Sequence, residues 1–302
     1  MQRDDMTAMP PSAVFNWSTA DSALFRQCPR AWFLQRIAAL EDPGIAFAAR
    51  LVPLAGWGQE VVRRTLRDAI AAHAAGLAIP DCRILSQQAL EMLRNQWRMS
   101  RAAAVKPDGN APFVIMEHYC DRDGGGIPRD ETDALKNAVM EAIEGFSASA
   151  IPGLLAALPP ESLLANGGRC QIILDCNGER IPVETTADLV IRTSEGGIKI
   201  LSWHLGGESP SMAPLQNTCL ALYAMKQWQA PLEKISAGAV MLNDGGRIRR
   251  FALTRDSLKN VAGMLKAEIT RVRSLGNSPE AFPPAADDAI CRQCRFRQSC
   301  PG

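Results

Sequence analysis

Three thiols stand within ten residues near the C-terminal end, Cys291, Cys294 and Cys300, in a C-x2-C-x5-C run that Pro301 follows directly. Thiolates are soft donors, and a cluster of them suits an iron–sulfur centre or a tetrahedral zinc ion, either of which takes a fourth ligand. The chain has nine cysteines, an odd number, and the other six are scattered, which does not fit a secreted disulfide framework. Cys28, in the run Gln27-Cys28-Pro29-Arg30, is available as the fourth ligand. Spacing alone does not select it, because a single cysteine is usually a small apolar side chain.

The bulk composition sets the setting for this chemistry. The 302 residues are 47% hydrophobic and 22% charged, the proportions of a soluble globular protein able to bury a large core without covalent staples. No apolar run reaches the roughly 18 residues that span a bilayer, and the first residues show neither a basic n-region nor an apolar h-region. The expectation is a cytoplasmic protein with no membrane segment. A net charge of +1 gives no global nucleic-acid signature. Local arginine groups remain, at Arg26, Arg30 and Arg36, at Arg63, Arg64 and Arg67, at Arg247, Arg249 and Arg250, and at Arg292, Arg295 and Arg297. Taken one at a time, each reads as a solvated helix or strand face.

The elements that must hold these residues follow from periodicity. Residues 1–14 are proline-rich and polar and are expected to be a disordered tail. Ser18 or Thr19 can cap a short helix, and Cys28-Pro29 ends it and opens the next, a junction that should expose the thiol. Gln59 to Ala75, Leu85 to Met99 and Thr132 to Phe146 repeat apolar residues at helical spacing, with Asp130 or Thr132 as the cap of the last. The pattern changes after the turn at Asn166-Gly167-Gly168. Arg169 to Cys176 and Ile181 to Thr193 form a hairpin across Asn177-Gly178, and Ile198 to His204 is a third strand of a meander. A helix over Pro214 to Gln229 follows. A second hairpin then joins Ile235 to Asn243 with Arg247 to Thr254, and the last long helix runs from Asp256 to Leu275. The plan is α+β, one domain over residues 15–302. Its parts are a mainly helical stretch at 15–160, a mixed sheet core at 161–275 and a cysteine-rich tail at 276–302.

This order, with one cysteine near the start and three at the end, resembles the PD-(D/E)XK nuclease superfamily, in particular its RecB-like branch, to which the AddB nuclease domain and the CRISPR adaptation exonuclease belong. The resemblance covers nearly the whole chain and is anchored on Cys28-Pro29-Arg30-Ala31-Trp32-Phe33. It implies that Cys28, Cys291, Cys294 and Cys300 hold a 4Fe–4S cluster joining the N-terminal helices to the C-terminal tail. It also implies where metal-dependent cleavage would be performed. Asp188 matches the first strand acid. Ser202 and His204 stand where the second acid and the catalytic lysine belong, Gln59 stands for a metal-binding histidine, and Cys219 replaces a glutamine four residues before the retained Tyr223. Four of these six positions depart from the pattern.

One carboxylate cannot neutralise a pair of magnesium or manganese ions, and a neutral imidazole is no substitute for a lysine ammonium beside a phosphate. The expectation is therefore a nuclease fold without nuclease activity, serving as a DNA-binding or structural subunit beside a helicase, a nuclease or a CRISPR-type complex. Arg30, Arg292, Arg295 and Arg297 would neutralise phosphates. Trp57, Trp203 and Tyr223 could line the former cleft, with core packing the competing place for them. The alternative is an active exonuclease whose magnesium or manganese ligands have moved to Glu184 and Glu208, with Lys199 on the third strand as its lysine. His73 and His118 have no ligand-like arrangement and are expected as surface or helix residues.

Overall fold

A computed structural model describes residues 15–105, 113–120, 126–206 and 212–300. The tail at 1–14 and Glu208 therefore lie outside the described residues. From the N-terminal side come β1 (Trp17–Ser18), α1 (Thr19–Gln27), α2 (Pro29–Arg36), α3 (Pro43–Ala48), β2 (Leu51–Val52), α4 (Leu54–Ala74), α5 (Cys82–Val105), β3 (Val114–Ile115), α6 (Met116–Cys120), α7 (Arg129–Ala148) and α8 (Ile151–Ala156). Then follow β4 (Leu163–Cys176), β5 (Glu179–Arg192), β6 (Ile198–His204), α9 (Met212–Gln227), β7 (Ile235–Met241), β8 (Arg247–Phe251), α10 (Arg255–Ser274) and α11 (Asp288–Arg292). Among the described residues no helix is long and apolar enough to cross a membrane.

The chain condenses into two compact units. The first comprises Met1–Leu51, Gln171–Thr185 and Asp256–Gly302, and the second Val52–Cys170 and Thr186–Arg255.

In the first unit, β1 pairs in parallel with β5, Trp17 opposite Val183 and Ser18 opposite Glu184. Ser18 caps α1 by accepting the Asp21 N–H at 2.9 Å. Cys28 both ends α1 and caps α2, with Pro29 in the first turn, as the sequence implies. Its thiol is not exposed, however. Cys28 is buried, because α2 turns its Trp32 and Phe33 onto Phe282, at ring-centroid distances of 5.8 and 5.0 Å, and this aromatic packing closes over the junction.

In the second unit, β6 lies at the centre. It runs antiparallel to β5 with Leu189 opposite Leu201, and parallel to β7 from Ile198 opposite Ile235 to His204 opposite Met241. β7 then pairs antiparallel with β8. The parallel step needs a crossover, and α9 supplies it. Side chains alternate across the strands. Leu189, Ile191, Leu201 and Trp203 pack with Val61, Val62 and Leu66 of α4 and with Ile143 and Phe146 of α7. The other face sets Val190, Ile198 and Ile200 against Leu220, Ala221 and Ala224 of α9. A sheet covered on both faces explains why β6 reads as a nearly continuous apolar run.

Two expectations are corrected by packing. Asn166 and Gly167 do not form a turn but lie inside β4, where Asn166 donates to the Arg67 carbonyl at 2.8 Å. Gly167 has φ 68°, and a Cβ there would collide with the Arg67 side chain, so the glycine lets α4 approach the strand. Helix α7 opens on Pro128 with no side-chain cap, and Thr132 turns its hydroxyl back to the Arg129 carbonyl at 2.7 Å.

A second close approach gives a test. A Cβ on Gly145 of α7 would run into the carbonyl of Leu242, a backbone atom that cannot swing aside. Gly145→Ala is expected to cost about 2 kcal/mol as overpacking, read from the midpoint of urea unfolding. An unchanged midpoint would show that the helix and the strand end can separate freely.

Candidate functional site

The motif positions of the second unit converge on the end of β6. Asp188, only 5% exposed, accepts the Trp203 N–H through Oδ2 at 2.9 Å, and its Oδ1 lies 3.6 Å from Nε of Arg63. The Arg63 guanidinium also donates to the Trp203 carbonyl at 3.3 Å. One arginine on α4 thus ties the strand acid to the backbone of the neighbouring strand. On the same face of β6 as each other, Ser202 and His204 are buried, with Ser202 Oγ 3.2 Å from His204 Nε2. Asn217 of α9 donates to Ser202 Oγ at 3.3 Å, while its own Oδ1 is buried without a partner among the described residues.

Arg63 and Asn217 are site residues that motif comparison alone overlooks. The signal for Arg63 is helical spacing, since it follows Gln59 by one turn and shares its face. Gln59 is half-buried on α4. Cys219 is fully buried, and burial pushes its thiol up to about 12, so it remains a neutral thiol. Tyr223 is half-buried against Trp228, ring centroids 5.1 Å apart, and burial, followed by the nearby Cys170, raises its hydroxyl. Trp203 belongs to the core, edge-on to Phe146, and Trp57 is 3% exposed with its N–H on Gln96 Oε1 at 2.6 Å. Lys199 sits opposite Ile191 and Ser236, an odd number of residues from Ser202 and His204, and so projects from the other face of β6. Glu184 lies in the first unit, paired with Ser18.

His73 and His118 are structural. His73 spans the carbonyls of Leu77 and Leu155, 3.0 and 3.2 Å from its ring nitrogens. Ser100 Oγ accepts the Ile115 N–H at 2.7 Å, which leaves its own hydrogen for His118 Nδ1 at 2.8 Å. Burial first, and then the charge of Arg101, hold the His118 imidazole down to about 4 from its ordinary 6.5. As pH falls through this window the unfolded chain takes up a proton before the folded one does, so stability present above 6.5 is lost toward 4. His118→Gln should flatten the dependence of the urea midpoint on pH across that window. Parallel curves for both chains would remove His118 as the cause.

In the first unit two of the four expected thiols, Cys294 and Cys300, sense the others electrostatically. Burial raises the Cys294 thiol, the Phe296 N–H at 3.4 Å from Sγ opposes this, and the charges of Cys28, Cys300 and Cys291 raise it further. Burial likewise raises Cys300, Arg30 opposes it, and Cys28 and Cys291 add to the rise. Cys294 is thus within electrostatic reach of the other three thiols, and Cys300 of Cys28 and Cys291. As they stand, no three His, Cys, Asp or Glu side chains among the described residues form a group that could hold a metal ion. The donor set nonetheless fits a thiolate-bound group in its chemistry. The neighbouring thiols hinder ionisation of Cys294 and Cys300, a cost that a shared cation would relieve, and backbone N–H groups already point at sulfur on Cys294 and, from Ala31 at 3.4 Å, on Cys28.

The four arginines expected to meet phosphates have different surroundings. Arg30 donates through Nε to the Phe282 carbonyl at 2.7 Å, and Arg295 through Nη1 to the Ala49 carbonyl at 3.0 Å. Burial lowers Arg295, and Cys294 opposes the shift. Arg292 and Arg297 are exposed, with Arg297 donating to the Arg292 carbonyl at 3.1 Å.

Comparison with known proteins adds the family. No curated protein matches the chain. A solved structure, that of SSO0001, aligns at 16% identity over 57% of this chain and 77% of its own, with a TM-score of 0.31, a likeness too slight to bear on fold or function. The sequence pattern of the PD-(D/E)XK nuclease superfamily, by contrast, matches residues 16–301. That match spans the Cys28 junction, the Asp188 strand and the three terminal cysteines, and on it the chain belongs to the PD-(D/E)XK nuclease superfamily.

Proposed function

We propose that this chain is a nuclease-fold protein of the RecB-like type that binds DNA without cutting it, as a subunit of a repair, recombination or defence complex. The observation that carries the reading is the state of Asp188. The first acid of a metal site must offer its oxygens to a cation, yet here one oxygen accepts a backbone N–H and the other faces a guanidinium. The positions of the second acid and the lysine are a serine and a histidine bonded to each other out of contact with solvent. A two-metal mechanism needs several hard oxygen donors at one point. Lys199, on the opposite face of β6, does not restore the missing ammonium.

In this reading Cys28, Cys291, Cys294 and Cys300 hold a 4Fe–4S cluster, with zinc as the alternative. When bound, the group supplies a covalent tie between the N-terminal helix junction and the C-terminal tail and no part of any cleavage chemistry. Arg292 and Arg297 lie exposed beside it and would meet phosphates. Protein partners of this class would be a helicase, an active nuclease or a CRISPR-type complex.

The test is an assay on single- and double-stranded DNA with magnesium or manganese, with Asp188→Ala alongside. The expected result is no strand cleavage by either chain and DNA binding that weakens steeply with salt. Cleavage that Asp188→Ala abolishes would overturn the proposal in favour of an active exonuclease with relocated ligands.

A further inference from the structure

The helical part of the second unit contains a cavity that neither the thiol set nor the Asp188 site uses. It opens between α4, α5 and α7, has a volume of about 430 Å³, and is floored by Leu93 and Leu135 with Trp57 and Trp97 on one wall. The two indoles stand 5.9 Å apart, tilted by 42°, and Trp97 is braced edge-on by His118 at 4.3 Å. Its depth depends on Gly58, where a Cβ would strike Leu135 and push it into the space.

The rim is cationic. Arg94, Arg98 and Lys136 border the opening and are exposed, and none of them makes an ion pair among the described residues. The one acid at the rim among the described residues, Asp133, is already opposite Arg129 at 3.7 Å. Arg94 and Arg98 are four residues apart on one helix face, about 6 Å along its axis. An apolar helix or loop lying here would bury three cations with nothing to neutralise them. A ligand that matches the whole cavity has a flat aromatic part for the tryptophan wall and negative charge for the rim.

We infer that this cavity binds a nucleotide, the base stacked on Trp97 and the phosphate held by Arg94, Arg98 and Lys136. The volume is in the range of small-ligand sites. The inference rests on the DNA-binding reading above for its source of nucleotides, a single strand threading past α5. A free nucleotide offers the same chemistry, and the experiment separates the two.

The full chain would be titrated into a labelled oligothymidine, followed by fluorescence anisotropy at several salt concentrations, and thymidine monophosphate would be titrated into it by calorimetry. Arg94→Gln with Arg98→Gln alters only exposed side chains and should leave the fold unchanged by circular dichroism. It is expected to weaken oligonucleotide binding about tenfold at low salt and to reduce the salt slope by about 1.4, for two lost phosphate contacts. Trp97→Leu is expected to weaken binding about tenfold with the salt slope unchanged, the signature of lost stacking. Oligonucleotide binding that both variants retain in full would overturn the cavity while leaving DNA binding intact. Binding of thymidine monophosphate without the oligonucleotide would support the cavity and sink the DNA-binding reading, and binding of neither would sink both. Equal affinity for a poly-glutamate peptide would overturn base stacking as the basis of recognition.

Discussion

Cys294→Ser, prepared without oxygen, is expected to lose most of its bound iron and the brown absorbance that goes with it, and to unfold in urea well before the parent chain. The residue is the most connected of the four thiols, sensing Cys28, Cys291 and Cys300 together. Chain length sets the size of the effect. A tie between Cys28 and the tail closes a loop over most of the sequence, and a cross-link of that span removes on the order of 5 kcal/mol of unfolded-state entropy by the loop-closure argument. The loss will be smaller, about 3 kcal/mol, because an unfolded chain that retains residual structure gains less freedom when the tie is cut than the loop model gives. Cys82→Ser is the control, since Cys82 is half-buried on α5 outside the thiol set. Metal analysis of the parent chain reads iron against zinc directly. Full metal content in Cys294→Ser would remove it from the ligand set.

How far the residues alone could reach is clear from particular elements. The turn Asn177-Gly178 was legible because a two-residue hairpin needs positive φ twice, and these residues take 56° and 85°. β6 was legible to the residue because an apolar run bounded by Gly196-Gly197 and Gly206 has few other places to go. Resemblance is what groups the four thiols as a proposed ligand set. Spacing alone groups three of them, because nothing local to Cys28 points to residues more than 260 positions away. What escaped depends on approach between elements distant in sequence. Gly145 reads as a weak point in a helix until a strand-end carbonyl lies against it. Asn166-Gly167 reads as a turn until Arg67 is seen to occupy the space. Arg63 reads as one of a solvated trio with Arg64 and Arg67, because nothing local announces that Asp188 lies 3.6 Å away. Motif comparison says which positions depart from the pattern but not what the acid at Asp188 pairs with.

That acid gives the second large effect. Arg63→Leu leaves the Asp188 carboxylate, 5% exposed, without its guanidinium, and removal of one partner of a buried pair costs about 3 kcal/mol. Asp188→Asn alone should cost less, about 1 kcal/mol, because an amide oxygen still accepts the Trp203 N–H. In the double variant Arg63→Leu with Asp188→Asn no charge is stranded, so it should be more stable than Arg63→Leu by about 2 kcal/mol. Urea unfolding of the four chains gives the cycle, and additive losses would show that the pair is not coupled. The same variants bear on function. If Asp188 retains the capacity to bind a divalent cation, the guanidinium is its competitor, and Arg63→Leu should gain stability from manganese by mass action while Asp188→Asn does not. In a chain whose cation site has been dismantled, Ser202 and His204 offer no further hard oxygen anion beside Asp188, and manganese should leave all four midpoints where they were. A midpoint that rises with manganese in the parent chain would return the acid to catalysis and Arg63 to the role of a gate.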